Sequence, residues 1–249
     1  MRRALLAACC ALACCAALAQ GEEVPFITSP DNVTQEMLRL ARVGPGDHVI
    51  DLGSGDGRIV ILAARRFGAT GLGVDIDPQL VQRSLENARD AGVAQRVDFR
   101  VQDLFQTDLA RATVVTMYLL PEFNLRLRPA LLALKPGTRV VSHDWDMGDW
   151  KPDATTVVAV PDKKVGLEKS SRIHLWVVPA RVDGMWCGAS GALSLRQSYQ
   201  ELTGSAGPRE VKGHVEGTTV VLDGTRYSFA GDALLSAGAD YVRARNGGC

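Results

Sequence analysis

The chain has 249 residues, with 28 basic and 28 acidic side chains, 46% apolar content and six cysteines. Such a composition is that of a globular protein and excludes disordered, collagen-like and multi-span membrane chains. Zero net charge gives no electrostatic argument for nucleic acid as a partner, and the length fits one large domain with at most a small extra module.

Arg2 and Arg3 open the chain, and residues 4–19 are only Ala, Leu and Cys, ending on Ala17-Leu18-Ala19. Two charges, a short apolar run and a small-residue exit describe a secretory signal peptide over 1–19. The run falls short of the roughly 20 apolar residues of a spanning helix. An uncleaved anchor and a misassigned start codon are the alternatives. The expected location is therefore exported or periplasmic, with no membrane span after cleavage, or cytoplasmic if the start is misassigned. Cys9, Cys10, Cys14 and Cys15 belong to this leader. Only Cys187 and Cys249 remain, so the chain is not a disulfide scaffold, and no Cys-x-x-Cys pattern supports a metal site.

Ser29-Pro30 reads as a cap and first-turn proline for a helix running through Met37, Leu38 and Ala41. Strand and helix then alternate. Residues 48–52 form an apolar run before a glycine cluster, and a helix over 58–67 is stopped by Gly68. A strand over 72–75 leads to a helix over 78–91, with Asp77 as cap, Pro78 in the first turn and Gly92 at the end. Strands follow at 97–101 and 113–117. A helix spans 122–134, where Pro129 predicts a kink or break. A strand at 138–142 completes a mostly parallel sheet with helices on both faces. Residues 155–160 and 172–178 are β-rich with no helix between them, which predicts an antiparallel pair at the sheet's end.

From Arg181 onward glycines become frequent and short alternating stretches appear, such as 193–199 and 218–222. Asp223-Gly224 is a hairpin signal. Residues 181–249 read as a small antiparallel β module, and 24–180 as the main domain. Such a module is marginal alone and is expected to pack on the first domain. Cys187 and Cys249 either pair, as suits an exported protein, or stay free; spacing alone does not decide.

The segment that carries chemistry is Asp51-Leu52-Gly53-Ser54-Gly55-Asp56-Gly57-Arg58. A strand runs into alternating glycines and then a helix, which lets the backbone turn tightly and lets a ligand press against the main chain. Dinucleotide sites use a similar turn, but with Gly-x-Gly-x-x-Gly spacing rather than glycines at 53, 55 and 57. Asp75 ends the second strand and Asp103 follows the third. In an open parallel sheet these strand ends share one edge with Asp51. A carboxylate at the second strand can accept both ribose hydroxyls, and an acid beside the third can reach an adenine amino group.

With three motifs in this order, residues 24–180 resemble class I S-adenosylmethionine-dependent methyltransferases. The resemblance implies a Rossmann-like sheet with an antiparallel end pair. It also implies S-adenosyl-L-methionine as cofactor, held by Asp51, Gly53, Ser54, Gly55, Gly57, Asp75, Asp103 and Leu104. Pro25-Phe26-Ile27-Thr28-Ser29-Pro30, Gly55-Asp56-Gly57-Arg58, Thr116-Met117-Tyr118-Leu119-Leu120-Pro121 and Ser142-His143-Asp144-Trp145 resemble the lysine methyltransferase group with archaeal and mitochondrial members. That resemblance implies N-methylation of a protein lysine. The group's usual Thr-Pro is interrupted by Ser29, so Thr28 is either part of a lid over the cofactor or a residue preceding the cap.

Methyl transfer from a sulfonium is a direct displacement, so the protein mainly aligns the nucleophile and excludes water. Tyr118 is the candidate to orient an incoming amine, or else a wall of the channel. His143 is a candidate base, or else a residue that holds a loop. Arg58 is expected to pair with Asp56 or Asp75. Trp145 and Trp150 either line the acceptor cleft or pack a loop. The alternatives to a lysine acceptor are a small-molecule acceptor, and an exported binding or scaffold protein that keeps the fold without the reaction.

Overall fold

The computed structural model describes residues 27–163, 168–245 and 248–249. The expected signal peptide at 1–19, and Pro25 and Phe26 of the N-terminal motif, lie outside the described residues. Helix α1 (Asp31–Leu40) precedes strand β1 (His48–Leu52), helix α2 (Arg58–Phe67), β2 (Thr70–Asp75), α3 (Pro78–Asp90) and β3 (Val97–Val101). A 3-10 turn at Leu104–Gln106 leads to β4 (Val114–Met117), α4 (Pro121–Leu132), β5 (Arg139–His143), β6 (Ala154–Ala159) and β7 (Ser170–Val177). These seven strands form one sheet in the order β3-β2-β1-β4-β5-β7-β6. The first five are parallel. β7 runs antiparallel to β5, and β6 antiparallel to β7. The strand order reverses between β1 and β4, so the crevice outside their C-terminal ends is where an open α/β sheet binds ligands.

The sheet is two-sided. On one face Ile50, Leu52, Met117 and Trp176 pack with Leu131 of α4; on the other Val49, Val114 and Val141 pack with Met37, Leu38 and Ala63 of α1 and α2. Three local expectations need correction. Helix α4 continues through Pro129 without a break. Pro129 lacks the N–H that would bond the Leu125 carbonyl, but both residues are exposed, so water can take that carbonyl. Ser29 is not a helix cap either: α1 starts after Pro30, and the Ser29 hydroxyl is used elsewhere. β2 begins two residues earlier than the apolar run suggests. Gly71 lies within it because a Cβ there would sit 2.7 Å from the Val49 carbonyl oxygen.

The C-terminal module is a closed antiparallel barrel of eight short strands: β8 (Gly184–Gly188), β9 (Gly191–Ser198), β10 (Glu201–Ala206), β11 (Arg209–Glu216), β12 (Thr219–Leu222), β13 (Thr225–Ala230), β14 (Ala233–Leu235) and β15 (Tyr241–Arg243). Closure leaves no free edge. Its interior is filled by Trp186, Leu195, Leu202, Val220 and Leu234. Asp223-Gly224 forms the β12–β13 turn, both residues having positive φ, 46° and 83°, as a two-residue hairpin requires. Cys187 of β8 and Cys249 are disulfide-bonded, which fastens the segment after β15 to the barrel wall. The barrel docks on the sheet domain, where the Ala180 N–H donates to the Gly217 carbonyl at 2.7 Å and Tyr199 packs on Trp150.

Candidate active site

The loop after β1 is built from main-chain hydrogen bonds that only a glycine-rich sequence permits. The Gly53 and Ser54 N–H groups both donate to the Val74 carbonyl at 2.9 Å. Gly53, Gly55 and Gly57 have φ of 76°, 54° and 78°, in the left-handed region. A Cβ at Gly53 would sit 3.0 Å from Leu119, and one at Gly57 would sit 2.7 Å from Phe99 and 2.9 Å from Ser84. Helix α3 holds the loop from behind. Ser84 donates to the Gly55 carbonyl at 2.8 Å and Asn87 to the Asp56 carbonyl at 2.9 Å. Asp75, at the end of β2, accepts the Gly55 N–H at 2.8 Å and the Asp77 N–H at 3.1 Å. A carboxylate has about four lone-pair positions, so Asp75 retains acceptor capacity for a ligand diol.

Arg58 pairs with Asp56 at 2.6 Å and also donates to the Ser29 carbonyl at 2.8 Å. It thereby ties the N-terminal segment to the glycine loop. Asp103 caps the turn Leu104–Gln106, accepting the Phe105 N–H at 2.8 Å. Asp51 is 2% exposed and accepts the Thr116 hydroxyl at 2.7 Å. Burial raises its carboxyl to about 7; the Thr116 bond opposes the rise, and the charges of Asp75 and Asp56 add to it.

These groups surround a cavity of about 990 Å³, at the upper end of the ~300–1,000 Å³ of small-molecule sites. Thr28, Asp51, Gly53, Ser54, Gly55, Asp75, Asp103, Leu104 and Tyr118 all line it. Two other expected site residues sit one layer back: Gly57 against Phe99 and Ser84, and His143 behind Tyr118. Sequence reading missed one stacked wall of the cavity. Phe105 and Phe123 stack at 5.5 Å, with the Arg126 guanidinium 3.7 Å from the Phe105 centroid. Helical spacing of apolar residues gives no sign of it, because the two rings come from different elements. The bare main chain at Gly53, the carboxylate at the end of β2 and a cavity of this size fit a nucleoside ligand laid across the strand ends.

On the acceptor side, the Tyr118 ring stacks on the His143 imidazole, with centroids 3.8 Å apart. Burial, and the nearby Asp144 charge, push the Tyr118 hydroxyl up, so it stays protonated at neutral pH. His143 is 1% exposed. Its Nδ1 is 2.8 Å from the Ser29 hydroxyl and its Nε2 2.8 Å from the Ser171 hydroxyl. Burial lowers it to about 4; Asp144 opposes that shift and Lys163 adds to it. The ring is neutral at physiological pH, one nitrogen donating and the other accepting. Asp144 pairs with Lys163 at 2.7 Å. Neither serine carries a sequence signal for this contact, since each meets His143 only through the fold. Of the two tryptophans, neither lines the cavity: Trp145 is 43% exposed, whereas Trp150 is fully buried against Trp176 and Tyr199. Among the described residues no group of three or more His, Cys, Asp or Glu is placed to hold a metal.

Comparison with known proteins agrees with this geometry. The ANTKMT methyltransferase domain family matches residues 51–154. A protein-lysine N-methyltransferase of Saccharolobus islandicus is 39% identical over 157 residues, 62% of this chain and 94% of the relative. The adenine nucleotide translocase lysine N-methyltransferase of Mus musculus is 33% identical over 133 residues, 53% of this chain and 58% of the relative. The chain thus spans little more than half the length of that mammalian relative. A solved structure described as an RNA methyltransferase from Salinibacter ruber, in complex with S-adenosyl-L-homocysteine, is 50% identical. It covers 63% of this chain and 96% of its own, with a TM-score of 0.56. This chain is an S-adenosylmethionine-dependent methyltransferase and belongs to the family that contains the archaeal protein-lysine N-methyltransferase.

Proposed function

We propose that the protein N-methylates lysine side chains of a protein acceptor. The observation that carries the reading is the archaeal lysine methyltransferase, matched over 94% of its length by this chain. The site's chemistry is compatible with an amine. S-adenosylmethionine supplies the electrophilic methyl group when bound. Asp75 would accept hydrogen bonds from its ribose, Asp103 and Leu104 would border its adenine, and the loop at Gly53, Ser54 and Gly55 would give it main-chain contacts. Asp51, buried and lining the same cavity, would offer a carboxylate to the cofactor's positive charge. Thr28, held by the Arg58–Ser29 bond, walls the cavity.

Tyr118 carries the acceptor role. Its protonated hydroxyl can accept a hydrogen bond from an amine and orient the lone pair, while the enclosed site favours the neutral amine. His143 acts through Tyr118 as a positioning residue. With both nitrogens engaged and its basicity suppressed, it has no free site from which to take a proton. We also infer that residues 1–19 are a signal peptide and that the mature chain is exported. The Cys187–Cys249 disulfide supports this, because such bonds persist in oxidising compartments.

The test is methyl transfer from radiolabelled S-adenosylmethionine to three acceptors: poly-L-lysine, a mixed RNA and a panel of small amines. Label recovered as methyl-lysine after acid hydrolysis is expected. The RNA arm is included because the Salinibacter relative is described as an RNA methyltransferase. Label on RNA alone, or on small amines alone, overturns the lysine reading. Sequencing the mature N-terminus, expected near Gln20, tests the signal peptide.

A further inference from the structure

Residues 144–153 leave the C-terminal end of β5 beside the Tyr118–His143 stack. They contain one isolated bridge, Met147 to Trp150, and otherwise no regular pairing. Asp144 sits in the left-handed region, φ 65°. It is held there because its N–H donates to the Arg172 carbonyl at 2.7 Å and its carboxylate accepts the Arg172 N–H at 2.9 Å. Beyond it, side chains from other elements take the segment's carbonyls in turn. Asn124 donates to Trp145 and Asp146 at 3.2 and 3.3 Å. Arg128 donates to Met147, and Trp176 to Trp150, both at 2.8 Å.

The next support comes from the barrel. Gln200 donates to the Lys151 carbonyl at 2.7 Å and to the Asp153 carboxylate at 3.2 Å. Beside it Tyr199 stacks on Trp150, with centroids 6.4 Å apart and planes at 15°. The Arg128 guanidinium lies 5.8 Å from the same ring. Tyr199 has φ 54°, a conformation uncommon for an aromatic residue. Its ring packs with the core of the sheet domain rather than with the barrel interior. A turn held in a rare conformation, with its side chain serving a neighbouring domain, points to a role outside the barrel.

We propose that the β9–β10 turn of the barrel is a positioning device for the acceptor side of the methyltransferase site. Tyr199 and Gln200 clamp Trp150, Lys151 and Asp153, and through them steady the segment that starts at Asp144 and Trp145, directly after His143 of the Tyr118–His143 stack. An irregular segment with few backbone pairings opens locally unless side chains hold it. At the end of the segment furthest from β5 the clamp adds to the hold of β7, where the Asp153 N–H donates to the Leu175 carbonyl at 2.8 Å and the Asp153 carboxylate accepts the Val177 N–H at 2.7 Å. The cofactor side, formed by the ends of β1, β2 and β3, makes none of these contacts, so the two halves of the site are expected to respond differently. The acceptor measurement below rests on the lysine reading, whereas the exchange measurement does not.

The experiment compares Tyr199→Ala, Tyr199→Phe and Gln200→Ala in the full chain by hydrogen exchange, S-adenosylhomocysteine titration and kinetics with poly-L-lysine. For Tyr199→Ala, amides of 145–151 are expected to exchange about tenfold faster or more. KM for poly-L-lysine is expected to rise about tenfold, with S-adenosylhomocysteine affinity within about twofold. Tyr199→Phe restores all three, because the ring and not the hydroxyl makes the contacts. Gln200→Ala, a truncation at a half-buried position, shows a smaller change in the same direction and serves if Tyr199→Ala does not fold. Unchanged exchange over 145–151 overturns the proposal, as does a parallel loss of S-adenosylhomocysteine affinity. If the unmutated protein leaves poly-L-lysine unmethylated, the lysine reading is damaged, and exchange still decides the clamp.

Discussion

Replacing Gly57 with alanine combines two penalties that other glycines of this chain separate. Gly57 has φ 78°, and an added Cβ would lie 2.7 Å from Phe99 Cζ and 2.9 Å from Ser84 Cβ. Gly92 has nearly the same φ, 70°, but nothing within 4 Å of an added Cβ. Gly73 is free of positive φ, yet its Cβ would meet the Phe99 ring at 2.5 Å and Ser54 Oγ at 2.7 Å. Left-handed backbone costs an alanine about 1–2 kcal/mol, and forcing a methyl into a packed site costs about 1–3 kcal/mol. Gly92→Ala is therefore expected to lose ~1 kcal/mol, Gly73→Ala ~2 kcal/mol and Gly57→Ala ~3 kcal/mol, the last being the sum of its two terms. Function splits further. Gly57→Ala pushes on Ser84, whose hydroxyl holds the Gly55 carbonyl, so it distorts the loop as well. Urea unfolding of the three variants gives the energies, and calorimetric titration with S-adenosylhomocysteine gives the affinities. Affinity should fall at least tenfold for Gly57→Ala and stay unchanged for Gly92→Ala. Equal stability losses for Gly57→Ala and Gly92→Ala would refute the steric argument.

Other measurements reach different parts of the molecule. The Asp51 carboxyl is raised to about 7 in the folded protein, so the folded state holds a proton that the unfolded chain has released. Stability of the ligand-free protein should fall as pH rises from about 4 to about 7, and Asp51→Asn should flatten that slope in urea titrations. A positive ligand charge near Asp51 favours its ionised form, so S-adenosylmethionine affinity should also be less pH-dependent in Asp51→Asn. Tyr118→Phe keeps the stack on His143 but loses the hydroxyl. Methyl transfer should drop by about a hundredfold in steady-state assays while S-adenosylhomocysteine affinity holds. Cys187 and Cys249 are 62 residues apart, so opening their disulfide should destabilise the barrel by about 4 kcal/mol, visible as a lower barrel melting temperature in reductant.

Much of the sheet domain was legible because its signals are local. Apolar runs mark β1, β4 and β5. Asp77, Pro78 and Gly92 bracket α3, where the Asp77 side chain does accept the Gln79 N–H at 2.7 Å. The alternating glycines announce a main-chain turn, and strand-end acids fall on one edge once the strands are parallel. Pro129 misled because its effect depends on whether the released carbonyl faces water, which only the packed helix reveals. The Ser29 hydroxyl misled for a similar reason: its cap signature is local, but its partner His143 is 114 residues away.

The cysteine count illustrates the same division. From sequence alone, four of the six cysteines could be assigned to an apolar leader, leaving Cys187 and Cys249 as a pair whose bonding was open. Their union needs a barrel whose β8 pairs with β15, placing Cys249 against Cys187. Strand–helix order, the glycine loop, the acids at the strand ends and a β-rich C-terminal module are all written in local residue patterns. Barrel closure, the neutral His143 between two serine hydroxyls and the Tyr199 clamp on Trp150 exist only in the folded chain. Each of these arises from residues far apart in the chain, whose meeting is set by strand pairing and burial and leaves no local pattern to read.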